Sequence, residues 1–332
     1  MLFLSLNPGS TNTKFSLYDG ETELLKSEFH GEVSSIEEKL NEKKFSLSQI
    51  DIFGIRVIHG GTKFSEPTKI TNDVLEELQE LSELAPLHNP PAIRIIEQLL
   101  NFDVNAKIYA VFDTAFHRTI PEKLKRYAIP KKIADEFGIQ KFGFHGIACQ
   151  SVIAKLKQKN ELPEKLVICH LGGGASVTAV KNGQSLDTSM GFTPLEGLMM
   201  VTRSGNIDAG AVSFLQEKLH LSETELLELL NKQSGILGIS GSTDIKEVFE
   251  GKTEVTKLAR EMFLIRVIKY IFSAAGVLGG LDRVTLSGGI GYKNIWLQKE
   301  IAKAIEPIHC SALSIVDVDE AEEIRRQVAE II

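Results

Sequence analysis

Residues 7–20 read NPGSTNTKFSLYDG and residues 170–183 read HLGGGASVTAVKNG. Each has a turn of small residues, then an apolar run that ends in Gly. Laying Gly20 on Gly183 sets LFLSL (2–6) against KLVIC (165–169), Asn7 against His170 and Gly9 against Gly172. It also sets the Asp19-Gly20 turn against Asn182-Gly183. Asp-Gly and Asn-Gly between strand-like runs are strong hairpin signals, so each copy reads as strand, tight turn, strand, turn, strand. One Gly-rich hairpin means no more than a hairpin. Two copies, each opening its own half of the chain, point to duplication. A turn of Gly, Ser and Thr lets backbone N–H groups and hydroxyls face an anion without Cβ obstruction. Two such turns facing one another across a cleft would grip a polyphosphate from both sides.

The intervening segments fit an α/β pattern. IYAVFD (108–113) is a buried-strand run ending in an acid, while IRIIEQLLNF and KLKRYAI have helical spacing. RVTLSGGIG (283–291) reads as a strand entering a Gly turn before the helix-like WLQKEIAKAI, and EEIRRQVAEII closes the chain as an amphipathic helix. In such a fold ligands sit at the C-terminal edges of the sheets. The stretch IFSAAGVLGGL from Ile271 is too short and Gly-broken to span a bilayer and reads as a buried helix.

Composition narrows the partners. A net charge of −7 over 332 residues gives no general attraction to nucleic acid or an anionic membrane, so an anionic ligand needs a local basic pocket. Three cysteines without metal-ligand spacing, Cys149, Cys169 and Cys310, fit a reducing cytoplasm. No charged n-region with a long apolar core opens the chain, so no signal peptide is expected.

Nine blocks, taken in order, resemble the acetate and propionate kinases, a family within the actin, Hsp70 and sugar-kinase superfamily. They are NPGSTNTK, RVIHGG, ELAPLHNPP, AVFDTAFH, FGFHG, CHLGGGAS, DTSMGFTPLEGLMMVTRSG, SGILGISGSTD and SGGIG, and the likeness runs from Asn7 to Glu320. The resemblance implies a duplicated actin-like ATPase (ribonuclease H-like) α/β fold of two domains with the active site in the interdomain cleft. It places residues 1–115 with 321–332 in one domain. Residues 116–320 form the other, carrying the nucleotide loops and the interface of a homodimer. The reaction implied is reversible phosphoryl transfer from ATP to acetate, giving acetyl phosphate and ADP, with Mg2+ or Mn2+ as cofactor.

Residue by residue, Arg56 and Arg203 match the family's active-site arginines, and guanidinium forks suit both a carboxylate and a planar phosphoryl group. His145 matches the histidine that stabilises the transferred phosphoryl, and His88 a histidine near the acetate. His59 is read as structural. Asp113, Asn7 and Glu320 match the metal-organising positions. An acid at the end of a buried strand is costly unless it has work there, whereas Glu320 lies in an acidic run that by itself reads as a solvated helix start. Ile58, Leu87, Phe144 and Pro194 match the small apolar pocket for the acid's tail. Ile58 replaces the commoner Val, which favours acetate over propionate.

On the nucleotide side the matching positions are Ser10, Asn12, Lys14, His170, Gly172, Gly173, Gly174, Asp244, Lys246, Gly289, Ile290, Gly291 and Asn294. Here the chain departs from the family. Gly173 stands for Asn, Asn12 for Ser and Lys246 for Arg; Tyr292-Lys293-Asn294 replaces Glu-Asn, and Cys149 a His. Three readings follow: an ATP-dependent acetate kinase, the same chemistry with pyrophosphate or another nucleotide as donor, and a non-catalytic carboxylate- or nucleotide-binding relative.

Overall fold

The computed structural model describes residues 1–9, 12–83, 89–102, 106–308 and 312–332. Ser10, Leu87, His88 and Cys310 lie outside the described residues. The chain divides into two compact units: residues 1–118, 145–151 and 319–332, and residues 119–144 and 152–318.

The first unit holds a six-stranded sheet in the order β3-β2-β1-β4-β6-β5. Its strands are β1 (Leu2–Pro8), β2 (Thr13–Asp19), β3 (Thr22–Phe29), β4 (Ile52–Val57), β5 (Thr68–Lys69) and β6 (Lys107–Phe112). The first three form an antiparallel meander, and β4 and β6 continue the sheet parallel to β1 and to one another. Alternation along β1 and β6 divides the core between two faces. Leu4, Leu6, Ile108, Ala110 and Phe112 pack with Ile93, Ile96 and Leu99 of the helix Asn89–Asn101. Phe3, Tyr109 and Val111 pack with Ile147 and with Ile324 and Val328 of the helix Glu320–Ala329.

The second unit has five strands in the order β11-β10-β7-β8-β9: β7 (Lys165–Leu171), β8 (Ala175–Lys181), β9 (Gln184–Thr188), β10 (Arg283–Ser287) and β11 (Ala312–Ile315). Again an antiparallel meander of three is extended by parallel strands beside its first member. The two sheets therefore share one plan, and the duplication is real.

The details correct the sequence reading in four places. In the first copy β2 and β3 are joined by Gly20-Glu21, with Asp19 paired to Thr22; in the second, Asn182-Gly183 joins Lys181 to Gln184. The copies thus fall one residue out of step after their first turn, because residues 9–12 link β1 to β2 whereas only 172–174 link β7 to β8. KLKRYAI is helical only as far as Lys125. Pro130 disfavours helix at Ile129, and the Tyr127 hydroxyl is taken up by Glu196 and accepts the Phe192 N–H at 2.7 Å. The GGIG segment is the opening of a short helix, Gly288–Lys293. IFSAAGVLGGL, down to Leu278, is the end of a 25-residue helix, Glu254–Leu278, whose Ile271, Ala274 and Leu278 are buried while Phe272 is exposed. Among the described residues no helix is long and apolar enough to cross a membrane.

Candidate active site

In the first unit four of the singled-out residues come together at the C-terminal ends of parallel strands, where open α/β sheets bind ligands. Asn7 is on β1, Arg56 on β4, and Asp113 follows β6, its N–H donating to Val57 O at 3.1 Å. Asp113 is fully buried. Its Oδ2 accepts from Arg56 Nε at 3.1 Å and Nη2 at 2.5 Å. Arg56 Nη1 donates to Asn7 Oδ1 at 2.9 Å and lies 3.8 Å from Glu320 Oε2, which accepts from Asn7 Nδ2. Burial works against the Arg56 charge, yet Asp113 and then Glu320 outweigh it and raise its pKa. Burial also pushes the Asp113 carboxyl above the usual carboxylate range, against the pull of Arg56.

The helix Glu320–Ala329 delivers Glu320 from the far end of the chain. Asp319 caps it by accepting the Glu322 N–H at 3.0 Å, donates its own N–H to Ser151 Oγ at 3.0 Å, and pairs with Lys26 at 3.3 Å. The acidic run is thus a capped helix start, as its composition suggests, and also places Glu320 beside Arg56.

His145 joins this group through its neighbour. Gly146 N–H donates to Asp113 O at 3.0 Å, and a Cβ at Gly146 would stand 2.1 Å from that oxygen, so only Gly allows the approach. His145 itself sits at φ 62°, a left-handed conformation unusual for a residue with a Cβ.

The donors suit a hard cation. Asp113 Oδ1 is buried with no hydrogen bond of ordinary geometry among the described residues, the Ile147 amide exerting only a small effect on that carboxylate. Among the described residues no three His, Cys, Asp or Glu side chains form a ready cage. Two carboxylates and an amide oxygen fit an ion that keeps much of its water, as Mg2+ does.

In the second unit Arg203 is partly buried, its Nη1 reaching Pro194 O at 3.4 Å and Met200 Sδ at 3.8 Å. Among the described residues no carboxylate pairs with it, and burial lowers its pKa. Its loop is stitched to SGILG: Ser234, Ile236 and Leu237 donate backbone N–H groups to Thr202, Met200 and Val201. Val201 N–H reaches Gly173 O at 3.4 Å, joining the arginine loop to the β7–β8 turn. That turn lies against the SGGIG segment: His170 Nδ1 is 3.2 Å from Ser287 Oγ, and Gly172 faces Gly289 N. Gly174 O accepts the Gly172 N–H at 2.9 Å. A Cβ at Gly173 would meet nothing within 4 Å.

Other nucleotide-side positions act as helix caps. Asp244 Oδ1 accepts from the N–H groups of Lys246 and Glu247, and Asn294 Oδ1 from Leu297 N–H at 2.9 Å. Ile290 and Gly291 are buried within the short helix. In the first unit Asn12 Nδ2 donates to Glu28 at 2.7 Å, and Lys14, opposite Asn7 and Glu28 in the sheet, is exposed. Of the apolar set, Ile58 is half-buried, Phe144 fully buried and Pro194 buried.

His59, which the sequence reading set apart from the site, lies in the buried loop after Arg56. It is fully buried, its Nδ1 accepts the Gly61 N–H at 2.9 Å, and burial lowers its pKa to about 4. The residues the reading passed over are Asn89, Thr114, Gly146 and Ser151. The first three stand inside the quoted blocks, where their small or amide side chains are the available signal.

A duplicated α/β architecture with an arginine–carboxylate network at its strand ends defines the chain as an actin-like phosphotransferase. The acetokinase family matches residues 21–312, and the chain belongs to it. It is 44% identical over 269 residues to the acetate kinase of Carboxydothermus hydrogenoformans, covering 79% of this chain and 67% of that protein. The structure of a propionate kinase from Francisella tularensis superposes with a TM-score of 0.91 at 32% identity, covering 98% of each chain. Porphyromonas gingivalis acetate kinase gives 0.90 at 30% identity over 99% of each.

Proposed function

We propose that this chain transfers the γ-phosphoryl group of ATP reversibly to acetate, giving acetyl phosphate and ADP. The observation that carries the reading is the part-buried Asn7–Arg56–Asp113–Glu320 network, in a chain that belongs to the acetokinase family.

The acid reacts as its carboxylate. One oxygen bonds to the γ-phosphorus as the bond to the ADP oxygen breaks, so no proton needs to leave the nucleophile. The transition state is loose, with charge spread over three equatorial oxygens, and the protein's task is positioning and positive charge. Arg203 and His145 supply charge and donors toward the phosphoryl oxygens. Arg56, held rigidly by Asp113 and Asn7, orients the acid's carboxylate. Ile58, Leu87, Phe144 and Pro194 are assigned to its methyl end, and His88 to its positioning, from their match to the family's blocks. Asp113, Glu320 and Asn7 would hold Mg2+, which when bound offsets phosphate charge. The β1–β2 and β7–β8 turns and the Gly289–Gly291 segment serve the nucleotide, with Asp244 and Lys246 toward the base.

A second copy of the chain is the proposed partner. Val255, Leu258, Ile265 and Phe272 form an exposed apolar stripe on the helix Glu254–Leu278 of the second unit, and sedimentation equilibrium checks for the dimer. We place the enzyme in the cytoplasm, with its adenine nucleotides.

The test is a coupled assay of acetate, propionate and butyrate against ATP, GTP and pyrophosphate, with and without Mg2+. Acetate with ATP and Mg2+ should give the highest kcat/KM. The occupied amide of Asn12 and the missing side chain at Gly173 favour a second donor as the alternative, and faster turnover with pyrophosphate or GTP would replace ATP in the reading. No acyl phosphate from any combination would sink it.

A further inference from the structure

The IHGG segment after Arg56 is held by a polar device that the proposed chemistry does not use. Three successive backbone amides of this buried loop each meet a side-chain acceptor. His59 N–H donates to Asn89 Oδ1 at 3.0 Å, Gly60 N–H to Thr114 Oγ1 at 3.1 Å, and Gly61 N–H to His59 Nδ1 at 2.9 Å. Asn89 also returns a bond, its Nδ2 donating to His59 O at 3.0 Å. The Asn89 amide thus engages both the N–H and the C=O of one residue, as a neighbouring strand would. Asn89, His59 and Thr114 are at most 5% exposed, so neither half of the clamp has water as an easy substitute.

The clamp's position gives it a consequence. His59 directly follows Ile58, the residue assigned to the acid's methyl end, and Arg56 lies two positions before that. Asn89 directly follows His88 and opens the helix Asn89–Asn101. Thr114 directly follows Asp113. On the other side the loop is backed by packed rings: a Cβ at Gly60 would lie 2.7 Å from Phe64 O and 2.9 Å from Phe112 Cδ1, and the Phe64 and Phe112 rings stack at 5.1 Å. The loop therefore cannot retreat into the core, and Asn89 fixes the direction still open to it.

We propose that Asn89 is a positioning residue for acid selectivity: its two-bond clamp on His59 sets the depth to which Ile58 closes on the substrate's carbon tail. The proposal rests on the reading of Ile58 as part of the acid pocket. Loss of the clamp strands a buried N–H and C=O, and the loop must shift to rehydrate them. That shift moves Ile58 but leaves the nucleotide residues of the second unit untouched.

The experiment measures kcat and KM for acetate, propionate and ATP in the full-length wild type and in Asn89→Ala, Asn89→Asp and Ile58→Ala, with thermal unfolding of each. Asn89→Asp keeps the acceptor and the shape but turns a second oxygen toward His59 O, so it decides the matter if Asn89→Ala does not fold. The expected result is an acetate KM raised about tenfold and a propionate-to-acetate kcat/KM ratio raised severalfold, with the KM for ATP within about twofold of wild type. A folded Asn89→Asp that keeps the wild-type ratio, or that loses kcat with every substrate at unchanged ratio, overturns the proposal. If Ile58→Ala also leaves the ratio unchanged, it is the pocket assignment that has failed; if Ile58→Ala changes it and the Asn89 variants do not, only the clamp's role has failed.

Discussion

Arg56 and Arg203 are matched to the same reaction and meet opposite surroundings. Arg56 is held among anions: a buried carboxylate takes two of its donors, an amide oxygen a third, and a second carboxylate stands nearby. Arg203 has a carbonyl and a thioether as its neutral partners, and its loop is held by backbone bonds rather than by charge. A guanidinium neutralised by fixed anions is a rigid template, good for orienting a carboxylate and poor at attracting one. A guanidinium without an anionic partner is poised to take up the charge of a phosphoryl group. In the function proposed, one residue type divides two tasks, orientation and charge compensation, through its neighbours.

That contrast breaks most readily at Asp113. Asp113→Asn removes the charge that holds Arg56 and one of the oxygens proposed for Mg2+, so turnover should fall by about 10³ or more while circular dichroism keeps the native form. Normal turnover in this variant would remove Asp113 from the chemistry.

The two arginines should separate next, by stability and not by rate. Each Arg→Ala change is expected to lower kcat by about 10²–10⁴. Arg56→Ala strands the buried Asp113 carboxylate and should also cost about 3–5 kcal/mol of folding stability, because breaking one side of a buried pair leaves an uncompensated charge. Arg203→Ala strands no anion, and should cost about 1 kcal/mol. Denaturant unfolding of both variants checks this; equal losses would erase the distinction.

A smaller effect sharpens the orienting side. Ile58→Ala adds room at the acid's tail without touching charge, so the propionate-to-acetate kcat/KM ratio should rise about tenfold, and steady-state kinetics with both acids reads it. Smallest is Gly173→Asn on the phosphoryl side. The open space around Gly173 accepts a side chain, and an added amide donor should lower the KM for ATP about threefold with no loss of thermal stability. A higher KM would place the turn away from the phosphates.

Much of this was legible in the chain itself. Two small-residue turns after apolar runs determined two related sheets, because a Gly-rich hairpin and the alternation around it are local properties. The parallel strands and buried Asp113 followed from IYAVFD, since an acid closing an apolar run has few other places to go. Membership of the acetokinase family rested on blocks readable in order. Tertiary structure decided what depends on meetings between distant segments. The one-residue slip between the copies turns on the lengths of two loops far apart in the chain, and the path of Tyr127 beyond the helix end at Lys125 turns on its distant partner Glu196. The place of Glu320 is another such case, which an acidic run could not distinguish from solvated surface until Ser151 and Lys26 fixed its helix beside Asn7. The Asn89 clamp is the plainest case. In sequence it is one amide before two prolines, and it becomes a strand-like partner for His59 because folding removes the water that would otherwise satisfy both.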